Sequence, residues 1–291
     1  MPGFVHNVVL SLVRRFGPDV MADAVDKGVV AREPLADKLA KKHQIVESSF
    51  QSYRVFTYGT PTDGQPVLVY LHGGGFVLGM TQVHFEVLGR LHKATGVPVI
   101  APDFPLPPET DAHSVVAWTT AHLRSVMADY PSSPILLAGE SAGGHLVLAT
   151  AQALEASERG RLKALFPLFG VFDLTNDPSE MEIAKEEVLL KAETMRRVLA
   201  RFVGDANRED PTISPLFGAL DNLPPVHLFS GDKDPLHADS LALRERLQAL
   251  GATHTHHIFP GYGHVFFFFP TPDGNRGMKT IADAMRQAMA A

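Results

Sequence analysis

The sequence predicts an α/β fold in which helices cover both faces of a mostly parallel sheet. Two observations lead to this prediction. Short apolar runs alternate with helix-length segments from residue 44 onward, and no internal repeat or Pro/Gly/Ser-rich linker interrupts the alternation. Alternation of this kind requires crossover connections, which join parallel strands within one sheet. At 291 residues the chain is long enough to bury a substantial core.

The elements follow from the chain in order. Residues 44–50 and 51–58 predict a starting hairpin or meander, because both are short β-prone runs. Six further apolar, partly β-branched runs predict the remaining strands at residues 66–71, 97–102, 134–139, 162–169, 226–231 and 255–261. The segments between them predict helices near residues 84–95, 112–129, 142–157, 236–250 and 275–290.

Two segments do not fit the alternation and predict a helical cap. They are residues 1–43 and residues 175–212, the second rich in Glu, Lys and Met. Ligands of open α/β sheets bind at the carboxyl edge of the strands, so an extra layer there would roof a pocket. The catalytic domain would then comprise residues 44–174 and 213–291. The alternative is that both segments are surface helices with no role.

Composition excludes several function classes. The chain carries 26 basic and 32 acidic residues, a net charge of −6, with no long run of either sign. Partners such as nucleic acid or an anionic membrane therefore lack an electrostatic footprint. The absence of cysteine excludes disulfides and thiolate chemistry. The apolar N-terminal run precedes its arginines, the reverse of a signal peptide, which indicates an amphipathic helix and a cytoplasmic protein.

The most specific motif is G-x-S-x-G at Gly139–Gly143, set between an apolar strand and a helix-forming run. In that context the motif is typical of a nucleophile elbow. A sharp, strained turn would hold Ser141 at the sheet edge, while the glycines let the strand and the helix pass closely. The alternative is a glycine-rich helix cap.

A serine needs an adjacent base, which is itself oriented by a carboxylate. Asp232 and Asp234 follow one predicted strand, and His264 follows the last one in a Gly-flanked loop. Spacing alone does not choose between the two aspartates, since residues i and i+2 share a face. Pro235 favours an extended or turn conformation at Asp234, whereas Asp232 suits a local turn cap. Three further histidines, His254, His256 and His257, lie on or beside a strand whose alternation points neighbours apart, so no metal site is predicted.

Three consecutive glycines, Gly73, Gly74 and Gly75, follow His72. Acyl transfer creates an oxyanion, and backbone N–H groups must approach it to about 3 Å. Glycine permits that approach because it has no side chain. The run therefore predicts two oxyanion donors, and Ala142, which follows the serine, a third. A plain glycine-rich turn is the alternative.

These motifs resemble the hormone-sensitive-lipase-like branch of the α/β-hydrolases, which includes microbial carboxylesterases. The matching segments are HGGGF at 72–76, GESAGG at 139–144, GDKDPL at 231–236 and GYGH at 261–264. The resemblance implies an eight-stranded sheet, a cap built from the N-terminus and the insertion after the sixth strand, and no cofactor. By motif position Ser141 matches the nucleophile, Asp234 the acid and His264 the base.

The resemblance also implies that the second and third glycines, Gly74 and Gly75, are the donors of the loop. The chain departs from the family pattern at three positions. Glu140 replaces the usual aspartate before the serine, and His145 stands where asparagine is common. In the segment PDFPLPPE, Pro105 occupies the position of a family arginine whose role is mainly structural. That departure concerns loop shape and local stability rather than catalysis.

The predicted function is a serine carboxylester hydrolase that cleaves small-to-medium acyl esters, of about two to eight carbons, through an acyl-serine intermediate. Four phenylalanines after His264 are predicted to pack a helix start against the core. An acyltransferase, amide cleavage and a small-molecule receptor are the alternatives. A small ester is the expected partner, and a homodimer is left open. Apolar pocket candidates are Phe76, Leu78, Phe172, Leu189, Met195, Val198 and Phe202.

Overall fold

The structure is a computed structural model that describes residues 1–16, 19–176 and 189–290. Eight strands form one sheet: β1 Ile45–Phe50, β2 Tyr53–Tyr58, β3 Val67–Leu71, β4 Val99–Pro102, β5 Ile135–Glu140, β6 Leu162–Leu168, β7 Val226–Gly231 and β8 His254–Phe259. The helices of the described chain are α1 Phe4–Phe16, α2 Val20–Asp26, α3 Asp37–His43, α4 Gln82–Thr95, α5 Ala112–Asp129, α6 Ala142–Ala153, α7 Ala156–Arg159, α8 Ala192–Val203, α9 His237–Ala249 and α10 Pro272–Ala290.

The strand order is β1-β2-β4-β3-β5-β6-β7-β8. β1, β2 and β4 pair antiparallel, and every later pairing is parallel. β3 has its sequence successor β4 on one side and β5 on the other, so the chain reverses its direction of travel across the sheet at β3. A crevice opens at such a switch point, outside the carboxyl ends of the strands. Leu71 of β3 lies opposite Gly139 of β5, which brings the loops after these two strands together.

Strand alternation divides the core between the two faces of the sheet. Val67, Val69 and Leu71 face a cluster that includes the apolar sides of α5, α6 and α9. Leu68 and Tyr70 face the other cluster, built mainly on α4 and α10. β3 is buried on both faces, as its continuous apolar run predicts for a central parallel strand.

The N-terminal helices contact different parts of the molecule. α2 packs against α8, and Asp19 at the start of α2 accepts a hydrogen bond from the Thr194 hydroxyl at 2.8 Å. α3 packs against α4 and β1. α1 packs on α10, where His6 contacts the aromatic rings that follow β8. Throughout the three described ranges, no helix is long and apolar enough to cross a membrane.

The predicted α/β fold with an eight-stranded, mostly parallel sheet is confirmed. The predicted strands match the observed ones to within about two residues at each end. The predicted helix at 142–157 is instead α6 followed by the short α7. In the predicted 175–212 insertion, α8 is helical, and residues 177–188 lie outside the described residues.

Candidate active site

Ser141 sits on a sharp turn between β5 and α6. Its backbone has φ 56° and ψ −121°, a region that non-glycine residues rarely adopt. Such a conformation costs about 1–3 kcal/mol and persists only where the surroundings impose it. Here the Ser141 N–H donates to the Leu168 carbonyl at 2.9 Å, and its carbonyl accepts from the His145 N–H at 3.1 Å. The turn is therefore fixed by β6 on one side and by α6 on the other.

The two motif glycines are required by close packing around this turn. A Cβ at Gly139 or at Gly143 would overlap the carbonyl oxygen of Leu71 at the end of β3. β3 and α6 approach one another directly behind Ser141. The predicted reason for the glycines, a close passage of strand and helix, is thus what the backbone shows.

Asp234 and His264 meet across the loops that follow β7 and β8. His264 Nδ1 donates to Asp234 Oδ2 at 2.8 Å, and both side chains are buried. The other oxygen of Asp234 accepts from the Leu236 N–H at 2.9 Å. The carboxylate is therefore held by its own turn while it fixes the orientation and the Nδ1–H tautomer of the imidazole.

Asp232 serves a different contact. Its Oδ1 accepts from the Gly261 N–H at 2.6 Å, which joins the loop after β7 to the loop that carries His264. The sequence left the two aspartates unresolved on spacing alone. In the structure Asp234 contacts His264, and Asp232 joins the loop after β7 to the loop after β8.

The three glycines after His72 are not equivalent. The Gly73 N–H donates to Oε1 of Glu140 at 2.5 Å, so its only donor is already used. This corrects the prediction that included Gly73 among the oxyanion donors. Gly74 and Gly75 have φ of 104° and 61°. Both border the cavity that contains Ser141.

Close contacts leave no room for side chains at these two glycines. A Cβ on Gly74 would lie 2.7 Å from the Leu78 Cβ. A Cβ on Gly75 would lie 2.9 Å from Met21 Sδ in α2 and 3.3 Å from Val198 Cγ2 in α8. The loop therefore touches the layer formed by α2 and α8 directly.

Glu140 is a buried carboxylate next to Ser141, and no sequence motif predicts a role for it. Besides Gly73, its Oε1 contacts Nε2 of His84 at 3.2 Å. His84 Nδ1 accepts from the Thr81 N–H at 3.2 Å, which assigns the ring proton to Nε2. Burial, and then the charge of Glu140, raise the pKa of the Tyr70 hydroxyl well above its ordinary value. Glu140 thus links the elbow to the glycine loop and to α4.

Among the described residues, two cavities border Ser141. The larger, about 320 Å³, is bordered by Gly74, His264, Leu78 and Leu189, and by further residues of the N-terminal segment, α4 and the loop after β8: Val13, Asp19, Val20, Met21, Glu33, Thr81, Val83, His84, Val265 and Phe268. The smaller, about 20 Å³, is bordered by Ala142, Phe76, Met195, Val198 and Leu199. Ser141 and Gly75 border both.

Two predicted pocket residues lie outside the lining of both cavities. Phe172 is fully buried, its ring packs on Gly170, and its N–H donates to Asp239 at 2.6 Å. The Phe202 ring stacks on Phe76 with centroids 3.7 Å apart and supports that side chain from behind. Both predictions were wrong because an apolar side chain beside a pocket and one in the core have the same sequence signal.

The phenylalanine run after His264 packs against the core and also reaches the larger cavity. Phe266 and Phe267 are buried, as predicted. Phe268 is half-buried and packs against the same core, as predicted. It also borders the larger cavity, where its ring meets His84 edge-on with centroids 5.7 Å apart.

His145, on the first turns of α6, lies between the two ends of the insertion. Nδ1 is 3.2 Å from the Val171 carbonyl oxygen, and Nε2 is 3.3 Å from that of Thr212. Burial lowers the pKa of His145 to about 4, although both carbonyls act in the opposite direction. Nowhere in the described chain do three or more His, Asp or Glu side chains gather as metal ligands would.

Comparison with known proteins identifies relatives over most of the chain. A family model for the alpha/beta hydrolase fold matches residues 68–268. An acetyl-hydrolase of Streptomyces hygroscopicus is 30% identical over 230 residues, covering 78% of this chain and 77% of that protein.

Solved structures are similar as well. The crystal structure of an esterase/lipase from an uncultured bacterium superposes with a TM-score of 0.83 at 25% identity over 100% of both chains. An esterase from the bacterial hormone-sensitive lipase family gives a TM-score of 0.81 at 25% identity over 99% of both chains. These names favour ester hydrolysis over the acyltransferase and receptor alternatives.

Proposed function

Since the chain belongs to the α/β-hydrolase family, in its hormone-sensitive-lipase-like branch, and is a carboxylesterase-type serine hydrolase, we propose that Ser141, His264 and Asp234 are its catalytic triad. One observation carries this assignment. The only serine on a strained strand-to-helix turn borders the same cavity as a histidine whose Nδ1 is held by a buried carboxylate, within the part of the chain that the structure describes.

In the proposed mechanism, Ser141 Oγ attacks the ester carbonyl carbon while His264 Nε2 removes its proton. Asp234 stabilises the imidazolium that forms. The carbonyl oxygen becomes an oxyanion, which accepts hydrogen bonds from the N–H groups of Gly74, Gly75 and Ala142. The tetrahedral intermediate collapses, and the alcohol leaves with the proton that His264 returns. In the second half of the reaction, water attacks the acyl carbon while His264 Nε2 removes a proton from the water. The new tetrahedral intermediate then collapses, Ser141 Oγ leaves with that proton, and the carboxylic acid is released.

We propose that the leaving alcohol occupies the larger cavity and the acyl group the smaller. The alcohol oxygen must receive its proton from His264, which borders the larger of the two. Ala142 borders the smaller one, on the side of the oxyanion donors. About 20 Å³ accommodates one water-sized group, comparable to the methyl of an acetyl ester. The acetyl-hydrolase named among the relatives supports a short acyl group.

We further propose that residues 1–43 and 175–212 contribute the roof of the site, over a catalytic domain of residues 44–174 and 213–291. The packing of α2 on α8 supports this division, as does the presence of Met21 and Val198 in the lining of the cavities. The small-molecule ester enters between this roof and the carboxyl edge of the sheet.

The test of the triad is covalent labelling. Ser141→Ala is expected to abolish both p-nitrophenyl acetate turnover and labelling by a fluorophosphonate, with an unchanged circular dichroism spectrum. Peptide mass spectrometry of the labelled wild-type enzyme should place the phosphonate on Ser141. A label on another serine, or turnover preserved in Ser141→Ala, would refute the proposal.

A further inference from the structure

Asp103, directly after β4, is a buried carboxylate near the oxyanion loop. Only 1% of its surface is exposed. Oδ1 accepts from the Met80 N–H at 3.0 Å and from Arg32 Nε at 3.2 Å, and Oδ2 accepts from Arg54 Nη2 at 2.7 Å. Nε2 of His72 lies 3.6 Å from Oδ1. A buried carboxylate is stable only when donors such as the Met80 N–H and the two guanidiniums compensate the lost hydration.

Arg32 reaches this site from the N-terminal segment, about 70 residues earlier in the chain. Its Nη2 donates to the Phe104 carbonyl at 2.8 Å and to the Glu109 carboxylate at 2.9 Å, and Nη1 pairs with the same carboxylate. The guanidinium therefore joins Asp103 and Glu109, the two carboxylates that flank Pro105. Pro105 cannot bind either carboxylate, because proline has no side-chain donor. Arg32 supplies the hydrogen bonds instead.

The backbone around Arg32 runs beside the continuation of the glycine loop. The Ala31 N–H donates to the Val77 carbonyl at 3.1 Å, and the Gly79 N–H donates back to the Ala31 carbonyl at 2.9 Å. The Glu33 N–H also donates, to the Met80 carbonyl at 3.2 Å. Residues 31–33 thus pair with residues 77–80, and we call this pairing the brace.

The brace is connected to the proposed oxyanion donors by short contacts. The N–H groups of Val77 and Leu78 donate to the Gly74 carbonyl at 3.1 and 3.0 Å. On the other side of the loop, His72 Nδ1 donates to the Gly73 carbonyl at 2.8 Å, and its ring stacks on Phe104 with centroids 4.2 Å apart. Arg32 therefore contacts the supports on both sides of Gly74. One is the brace, and the other is Phe104, whose carbonyl binds Arg32 and whose ring stacks on His72.

We propose that Arg32 is a positioning residue that holds the oxyanion loop through the brace and Asp103. The proposal rests on the proposed function, because it takes Gly74 and Gly75 as the oxyanion donors. Without the guanidinium, Asp103 keeps Arg54 and the Met80 N–H but loses its side-chain link to residues 31–33, and Glu109 loses its cationic partner. The peptide planes of the loop can then rotate, and hydrogen bonds that form fully only in the transition state are weakened.

Arg32→Ala is expected to lower kcat at least about tenfold, a part of the ~10²–10³ that the loss of one oxyanion donor costs. KM should change less than about threefold, since the ground-state ester does not depend on the oxyanion donors. The affinity for a boronic acid, which forms a tetrahedral adduct on the catalytic serine, should fall by a similar factor as kcat. A merely structural role for Arg32 would lower the melting temperature without this kcat and boronate signature.

Arg32→Lys covers the case in which the alanine variant does not fold. Lysine carries the charge but lacks the fork that joins two carboxylates, so kcat should fall by at least about threefold. Arg124→Ala is the matched control, because it removes an arginine–carboxylate pair with Glu158 between α5 and α7, outside the roof and the lining of both cavities. Its kcat should match the wild type.

The outcomes separate the two proposals. A folded Arg32→Ala or Arg32→Lys enzyme with wild-type kcat and boronate affinity overturns the role of Arg32, even when phosphonate labels Ser141. Phosphonate on a different serine overturns the proposed function instead, whatever Arg32→Ala does. A kcat loss in Arg124→Ala equal to that in Arg32→Ala also overturns the role, since the loss of any arginine–carboxylate pair would then suffice.

Discussion

Asp234→Asn is the variant whose effect follows most directly from the geometry. Asp234 uses both carboxylate oxygens, one to accept from His264 Nδ1 at 2.8 Å and the other from the Leu236 N–H at 2.9 Å. Asparagine has a single carbonyl oxygen. It can preserve one of these contacts only by presenting its NH₂ group to the other partner.

The two possible orientations of the asparagine amide set the lower and upper limits of the loss in kcat. If the NH₂ faces His264, the ring must take its proton at Nε2 and can no longer act as the base, which costs up to ~10⁴ in kcat. If the NH₂ faces the Leu236 N–H, two donors oppose one another in a buried turn, at a cost of about 1–3 kcal/mol. That cost leaves the active orientation populated ~5- to 150-fold less. We therefore expect kcat to fall at least ~5-fold and up to ~10⁴-fold.

Asp232→Asn is the control two residues away. Its Oδ1 contact with the Gly261 N–H can be kept by the asparagine carbonyl, and the site is only half-buried. The expected loss in kcat is below ~10-fold, because a neutral acceptor weakens the bond without removing it. Steady-state turnover of p-nitrophenyl acetate by the two purified variants, with thermal unfolding to confirm folding, measures both effects.

Either of two results would refute the reasoning. If Asp232→Asn lowers kcat more than Asp234→Asn does, the carboxylate that orients His264 is Asp232 and not Asp234. If folded Asp234→Asn retains kcat within a fewfold of the wild type, the tautomer of His264 does not depend on this contact.

Two further predictions concern substrate size and acid stability. Acetyl esters should be hydrolysed faster than esters with longer acyl chains, and a wild-type optimum at palmitate would contradict this prediction. Met195→Ala enlarges the small cavity, so it should move the optimum among p-nitrophenyl esters toward longer acyl chains. Because burial lowers the pKa of His145 to about 4, the unfolded state binds a proton between pH 6.5 and 4 that the folded state does not, and stability should fall by about 2 kcal/mol from this group at pH 5. His145→Asn should show a smaller loss between pH 7.5 and 5 in urea unfolding, and an equal loss would contradict the assignment.

The sequence predicted the sheet and the contact partners of the site well, because both depend on local signals. Apolar runs bounded by Pro66 or by glycines specify strands, and the carboxyl ends of parallel strands must meet at one edge. Asp234 and His264, each placed just after a strand, were therefore expected near one another. That expectation agrees with their 2.8 Å contact.

The remaining features depend on contacts between distant parts of the chain. No spacing rule indicates that Glu140 takes the Gly73 N–H, or that Phe172 packs in the core while Phe268 borders the cavity. Arg32 has no motif of its own. The only signal that could have prompted a search for it is Pro105, which leaves Asp103 and Glu109 without the expected cation.

The contact of Gly75 with Met21 and Val198 has a consequence for how this enzyme can diversify. Residues that shape a binding pocket usually vary freely among related enzymes, whereas the groups that stabilise a transition state do not. Here a larger side chain at either roof position would press on a proposed oxyanion donor, so a change of substrate range would carry a change of turnover. Laboratory evolution toward bulkier esters should therefore accept substitutions at Leu199, which borders the small cavity away from that contact, before it accepts them at Val198.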